Sequence, residues 1–304
     1  MKIQLSAEER KNRKMDPDKL EFAVALLRSN GVIIIESALD AERTDYINEE
    51  FLKILKVYEA ERGYLDTEFN AHGETKHIRM DLPFLSPFID EDVIANPIFL
   101  DIAEQILGED LTLRYLASNN SMPGGTKKQH MHSDTGPLFP ETYNHYTPTH
   151  SLVLHIPMVD FTVENGATEF WPGGSHLNPD HVIHYKNSEM MRKVGEAMHF
   201  MQAIMPKGSF LIRDKKLWHR GCPNKSDKPR GLFTFIYQRS WDATSARMPI
   251  PQNVFDALPL RSQYLLRMED ISDRYTPMTA VSGEFQEIVD HRNRKLREAL
   301  KALK

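Results

Sequence analysis

His132-Ser133-Asp134, followed far downstream by His219 and then by Arg230, is the pattern in this 304-residue chain best suited to chemistry. In an extended segment alternate side chains share a face, so His132 and Asp134 project together and can chelate one ion. Two imidazoles and one carboxylate form a facial triad that leaves several coordination positions open on Fe(II). The stretch from Asp134 to His219 is long enough for several antiparallel strands to return the chain to the same place. The short stretch from His219 to Arg230 allows a turn and the start of a neighbouring strand. An arginine there reaches past the metal with a planar fork suited to holding a carboxylate. The competing reading of Arg230 is an ion pair with nearby Asp227. His130 shares the face of His132 in a regular strand and is the competing ligand. The x-Asp spacing favours His132 and leaves His130 either as a support behind a ligand or as pocket wall.

These residues need a scaffold of strands. Before them, Asp16 caps a helix with Pro17 in its first turn, Leu20, Val24 and Leu27 form its apolar face, and Gly31 ends it. Val32 to Ile35 reads as a buried strand. A second helix begins near Asp40 with Ile47, Phe51, Ile54 and Leu55 inward. A third runs from Pro97 to Leu107 between Asn96 and Gly108. From Leu111 the pattern becomes strand-like, with candidates at Leu111–Ala117, Ser151–Ile156, Ser209–Arg213 and Gly231–Gln238, and a hairpin signal at Asn165-Gly166. Antiparallel strands preceded by helices predict a mainly β fold, a double-stranded β-helix or jelly roll of cupin type with helical support. The expected layout is one domain over 1–304, with helical support to about 110, a jelly-roll core over about 111–241 and a helical extension over about 250–304. From Gly283, Phe285, Ile288, Leu296, Leu300 and Leu303 fall at helical spacing. That helix packs on its own barrel or, alternatively, forms a homodimer contact.

Three stretches in this order carry a resemblance: Gln129-His130-Met131-His132-Ser133-Asp134; Glu164-Asn165-Gly166-Ala167-Thr168 running into Pro172-Gly173-Gly174-Ser175-His176; and Leu217-Trp218-His219-Arg220-Gly221 with Arg230. Together they resemble the phytanoyl-CoA dioxygenase family of Fe(II)- and 2-oxoglutarate-dependent oxygenases. The resemblance implies iron held by His132, Asp134 and His219, with 2-oxoglutarate and O2 as co-substrates. It further implies 2-oxoglutarate gripped by Arg230 with Gln129 and Thr168 nearby, and release of succinate and carbon dioxide as a small metabolite is hydroxylated, desaturated or otherwise oxidised. Gln129 and Thr168 have turn stabilisation as their alternative. Candidate substrate-contacting residues are Arg79, His130, Phe139, Trp171 and Arg239, with Leu138 and Trp241 as further walls; Arg79 has a solvated charge as its alternative.

The whole-chain properties bound the partners. A net charge of −5 gives no general attraction to nucleic acid or anionic membranes, and no apolar run is long enough to span a bilayer. Cys222 is the only cysteine, so no internal disulfide forms and a reducing, cytoplasmic setting is expected. A free small molecule of secondary metabolism is the expected substrate rather than an acyl-CoA. CoA needs a basic cluster, and Lys127, Lys128, Lys215 and Lys216 read as solvated turn charges. The rival classes are a jelly-roll metal enzyme that does not use 2-oxoglutarate, such as an isomerase, and a non-catalytic ligand-binding barrel.

Overall fold

The computed structural model describes residues 1–62, 75–136, 138, 146–177, 189–242 and 247–277. Helices α1 (Ala7–Asn12), α2 (Pro17–Asn30), α3 (Ala41–Arg62), α4 (Glu91–Ile94) and α5 (Pro97–Leu107) alternate with β1 (Lys2–Gln4), β2 (Val32–Glu36) and β3 (His77–Asp81). The core strands follow: β4 (Thr112–Ser121), β5 (Ser151–Pro157), β6 (Glu169–Phe170), β7 (Met201–Gln202), β8 (Phe210–Asp214), β9 (His219–Arg220) and β10 (Leu232–Gln238). The caps fall where their chemistry predicts. Asp16 accepts from the Asp18 and Lys19 amides, and Gly31, at φ 74°, closes α2 in the left-handed region. Asn96 accepts from the Ile98 amide to open α5.

The strands form a large sheet in the order β1-β2-β8-β5-β10-β4-β3, with β7-β6-β9 as a small second sheet. Every neighbouring pair of the large sheet is antiparallel except β1 and β2. This is the expected jelly roll, and the strand period of two explains its layers. Phe210 and Ile212 of β8, Leu152 and Leu154 of β5, and Phe233, Phe235 and Tyr237 of β10 share one core with Phe51 of α3 and Phe99 of α5. Phe51 meets Phe233 edge-on at 5.2 Å, so the helices brace this face. The alternate residues Val32, Ile34, Leu211 and Leu232 pack with Phe161, Phe170 and Met205 in a separate cluster between the sheets.

Asn165-Gly166 does not join two paired strands. Its turn, held by reciprocal bonds between Thr162 and Asn165, leads from β5 of the large sheet into β6 of the small one. The asparagine-glycine pair is used for its turn conformation, with Gly166 at φ 79°, rather than for a hairpin. The helix expected from Gly283, and with it the dimer contact, lies outside the described residues. Among the described residues no helix is long and apolar enough to cross a membrane.

Candidate metal centre and co-substrate cavity

His132 and His219 face each other across an isolated antiparallel bridge, with His132 N donating to His219 O at 3.0 Å and His219 N to His132 O at 2.9 Å. This bridge brings the rings to 4.3 Å between centroids. Asp134 is tied to the same turn through its amide and Lys215 O at 3.3 Å. Asp134 Oδ1 then lies 3.8 Å from His132 Nε2 and 3.6 Å from His219 Nε2. One ligand atom from each residue falls within 4.8 Å of the others, a spacing that a single ion can bridge.

The ring orientations suit metal binding. His132 Nδ1 is 2.8 Å from His130 O and His219 Nδ1 is 3.0 Å from Leu217 O. A carbonyl accepts only, so each Nδ1 carries the proton and each Nε2 presents its lone pair. Burial, followed by the Arg213 charge, pushes the His219 pKa well below its usual range and keeps the ring neutral. Burial alone would raise the Asp134 carboxyl, but the Arg213 guanidinium, by its charge and its hydrogen bond, holds it well below the ordinary range. Donor set, tautomers and ionisation therefore fit Fe(II).

Sequence reasoning missed Arg213 and His155. Arg213 is 2% exposed and donates from Nη2 to Asp134 Oδ2, leaving Oδ1 toward the histidines. Its Nε donates to His155 Nε2 at 3.0 Å, which fixes the His155 proton on Nδ1, 3.1 Å from Thr234 Oγ1. Asn119 Nδ2 donates to the same hydroxyl at 2.8 Å. Direct pairing of His155 with Thr234 in β5 and β10 makes this a polar stripe across the inner face of β8, β5, β10 and β4. A charged residue in the apolar run Phe-Leu-Ile-Arg-Asp was the one available signal.

A cavity of about 510 Å³ opens on the triad, lined also by Arg79, Gln129, Thr168, Arg213, Lys215 and Arg230. Arg230 is 1% exposed, donates from Nη1 to Gly166 O, and lies with its guanidinium 4.7 Å from the Phe161 ring centroid. Its Nε is buried without a partner among the described residues, and burial lowers its pKa to about 10. No ion pair joins Arg230 to Asp227 among the described residues; the arginine is turned inward, and a buried guanidinium needs an anion. Gln129 Oε1 accepts from the Gly221 amide at 2.5 Å, and Thr168 is buried on the wall.

The remaining sequence candidates divide. Arg79 lines the cavity over the Tyr115 ring. His130 is exposed and Trp171 buried, and both line a neighbouring pocket of about 620 Å³ instead. The Gln129–Asp134 segment is not a regular strand, so His130 does not share the face of His132. Arg239 is corrected to a structural clamp: its guanidinium donates to the carbonyls of Thr149, Leu107 and Ile106, facing α5 rather than the cavity. Leu138 and Trp241 do not line the cavity either, and Phe139 lies outside the described residues. Two of the four lysines are also corrected. Lys128 pairs with buried Glu169 at 2.6 Å, and Lys216 is buried with its ammonium on Thr147 O at 3.0 Å. Cys222 is buried, which raises its pKa to about 11 and makes it a poor nucleophile.

Comparison with known proteins agrees with this geometry. The chain is 24% identical over 261 residues to the dioxygenase trt7 of Aspergillus terreus (strain NIH 2624 / FGSC A1156), covering 80% of this chain and 82% of that protein. It is 22% identical to the dioxygenase cdmA of Talaromyces verruculosus, covering 81% and 82%. In fold it is similar to the non-heme alpha-ketoglutarate-dependent carbocyclase SnoK from nogalamycin biosynthesis, with a TM-score of 0.54, 17% identity, and coverage of 76% of this chain and 86% of that one. EctD from S. alaskensis, crystallised with 2-oxoglutarate and 5-hydroxyectoine, matches with a TM-score of 0.53, 17% identity, and coverage of 72% and 75%. The profile of the phytanoyl-CoA dioxygenases matches residues 27–232, which span β2, most of the helical support and the jelly roll as far as the first residue of β10. The chain therefore belongs to the phytanoyl-CoA dioxygenase family and, with it, to the Fe(II)- and 2-oxoglutarate-dependent dioxygenases.

Proposed function

We propose that this dioxygenase oxidises a small free organic metabolite, with the metal on His132, Asp134 and His219 and the far carboxylate of 2-oxoglutarate on Arg230. The observation that carries this reading is Arg230, a cation 1% exposed that lines the triad's cavity with an unpartnered Nε. An isomerase that does not use 2-oxoglutarate would have no use for that charge. Bound iron with 2-oxoglutarate and dioxygen supplies the two-electron oxidation of a C–H bond, with succinate and carbon dioxide released. The chain's residues do the rest. His130 O and Leu217 O hold the imidazoles in their ligating tautomer. Arg213 holds Asp134 by one oxygen. Thr168 supplies a hydroxyl to the wall, Gln129 is positioned by Gly221, and Leu232 and Ile236 give an apolar surface on which the carbon skeleton can rest out of water. Substrate geometry then decides among hydroxylation, desaturation and related outcomes.

An acyl-CoA is disfavoured because two of the four nearby lysines, Lys128 and Lys216, are already engaged by Glu169 and Thr147. The test is a weak visible charge-transfer band when anaerobic protein receives Fe(II) and 2-oxoglutarate, followed by succinate release against matched acyl-CoAs, free acids and terpenoid metabolites. His132→Ala, Asp134→Ala and His219→Ala should abolish the band. A band that survives in those variants rejects the triad, and coupled turnover of an acyl-CoA rejects the substrate class.

A further inference from the structure

The cavity holds an imbalance of charge that the triad and co-substrate do not remove. Its lining has four cations, Arg79, Arg213, Lys215 and Arg230, and one carboxylate, Asp134. Arg213 is neutralised by Asp134. A divalent ion and the 2-oxoglutarate dianion cancel each other, so loading the site leaves the excess positive charge in place. Arg79 is partly compensated, with Asp81 at 4.0 Å and the Tyr115 ring at 4.8 Å. Lys215 is not: it is half-buried at the turn after β8, and among the described residues no acceptor meets its ammonium. A partly desolvated positive cavity is costly when empty of anions and concentrates them from solution.

We propose that the organic substrate is itself an anion, a small molecule bearing a carboxylate, and that Lys215 takes that carboxylate at the edge of the cavity beside the metal centre. This rests on the 2-oxoglutarate reading above. Lys215 is placed for the role by its own backbone: its carbonyl accepts from the Asp134 amide at 3.3 Å and its amide donates to Ser151 O at 3.1 Å. The anchor is therefore one residue's backbone away from a metal ligand, and a substrate held by one end lays its skeleton over the triad toward Leu232 and Ile236. A single ammonium with no surrounding nest of amides matches a carboxylate better than a phosphate, which needs several donors. Arg79, on β3 at the other end of the inner face, adds to the attracting field without sharing the contact.

The test uses phenylacetate and its neutral isostere phenylacetamide as probes of the anaerobic Fe(II)- and 2-oxoglutarate-loaded protein, read by perturbation of the charge-transfer band. Appearance of that band before any probe is added separates failure of the co-substrate reading from failure of this one. Phenylacetate should bind at least tenfold more tightly than phenylacetamide, with the preference shrinking as salt is raised. Lys215→Gln should bring the two probes within about threefold, Lys215→Arg should keep the preference, and neither should change the 2-oxoglutarate needed for the band. Among the described residues the ammonium has no partner to lose, so Lys215→Gln should leave the packing intact. Equal binding of both probes, binding of neither, or an undiminished preference in Lys215→Gln overturns the proposal. A raised 2-oxoglutarate requirement in that variant also overturns it and assigns Lys215 to the co-substrate.

Discussion

Replacing Arg213 by methionine should weaken the metal-free protein and yet tighten its grip on a divalent ion. Arg213 Nη2 donates to Asp134 Oδ2 and lies 3.5 Å from His219 Nε2, so the guanidinium stands as counter-charge to the triad's carboxylate. Removing one partner of a buried ion pair costs about 3–5 kcal/mol. The Asp134 side chain is 29% exposed, so solvent recovers part of this and about 2–3 kcal/mol remains. At about 2 °C per kcal/mol for a chain of this size, the metal-free variant should melt roughly 4–6 °C lower. A bound dication supplies the missing charge, so the loss shrinks on loading, and linkage then requires tighter metal binding. Two effects oppose each other. Loss of an orienting partner typically costs 10–100-fold in metal affinity, about 1.4–2.7 kcal/mol. A guanidinium and a dication sharing one carboxylate, about 5 Å apart at an effective dielectric near 20, repel by roughly 6–7 kcal/mol. Halved for screening, the repulsion is still about 3 kcal/mol and wins narrowly. Mn(II) titration without 2-oxoglutarate, read by the paramagnetic signal of the free ion, should show a several-fold to tenfold gain in Arg213→Met, with Arg213→Lys near the parent. Weaker Mn(II) binding, or an equal fall in melting temperature with and without metal, refutes this account of Arg213.

Arg230→Ala should raise the 2-oxoglutarate requirement more than tenfold, since truncating one side of a buried charged pair costs about 2–5 kcal/mol; lysine should restore it only in part. Unchanged titration of the charge-transfer band would remove Arg230 from the co-substrate site. Gly166→Ala should act on the same function from a distance. A Cβ there would come within 2.5 Å of Cys222 O and 2.6 Å of Pro223 O, and Gly166 O is the acceptor that anchors Arg230. A higher 2-oxoglutarate requirement with unchanged Mn(II) affinity is the expected signature. Glu9→Gln should cost about 1–2 kcal/mol at neutral pH, because the Lys19 partner is partly open to solvent. Burial would raise the Glu9 carboxyl, but the Asp16 amide at 2.9 Å, Lys19 at 2.5 Å and the Ser6 amide at 2.7 Å lower it from 4.5 to about 2. The folded value lies below the unfolded one, so the stabilisation is complete above pH 4.5 and fades as pH falls toward 2. Melting curves of the two proteins should therefore converge in acid, and a constant gap across that range would reject the assignment.

Local signals carried much of the fold. Asp16, Pro17 and Gly31 bound α2, and Asn96, Pro97 and Gly108 bound α5, because capping depends on residues within one turn. The triad was legible for a similar reason: His132 and Asp134 are two apart, and His219 follows a strand. Arg213 and His155 were not legible, because their charges are meaningful only once β8, β5 and β10 are adjacent. His130 and Arg239 were misplaced by proximity to motifs. The first fails because the segment pairs irregularly, Gln129 with Gly221 O and His132 with His219 O, so that three steps on one side face two on the other and alternation does not persist. The second fails because three carbonyls from two separate segments converge on one guanidinium, a tertiary fact with no sequence period.

The inner face of the large sheet separates two tasks that the sequence runs together. On β10, Phe233, Phe235 and Tyr237 face the helices and build stability, while Leu232, Thr234 and Ile236 face the cavity. A one-residue slip of this strand would therefore exchange core for site. The register is held from both sides, by β5 along the whole strand and by β4 with an irregularity between Ile236 and Tyr237. Tyr237 adds a third constraint, its hydroxyl donating to Ile94 O at 2.5 Å in the helical layer. Stability and chemistry are thus coupled through strand register. Substitutions on the helix-facing residues should lower stability and leave metal affinity unchanged while the register holds, whereas those on the alternate residues should alter co-substrate and substrate binding in a protein that remains folded.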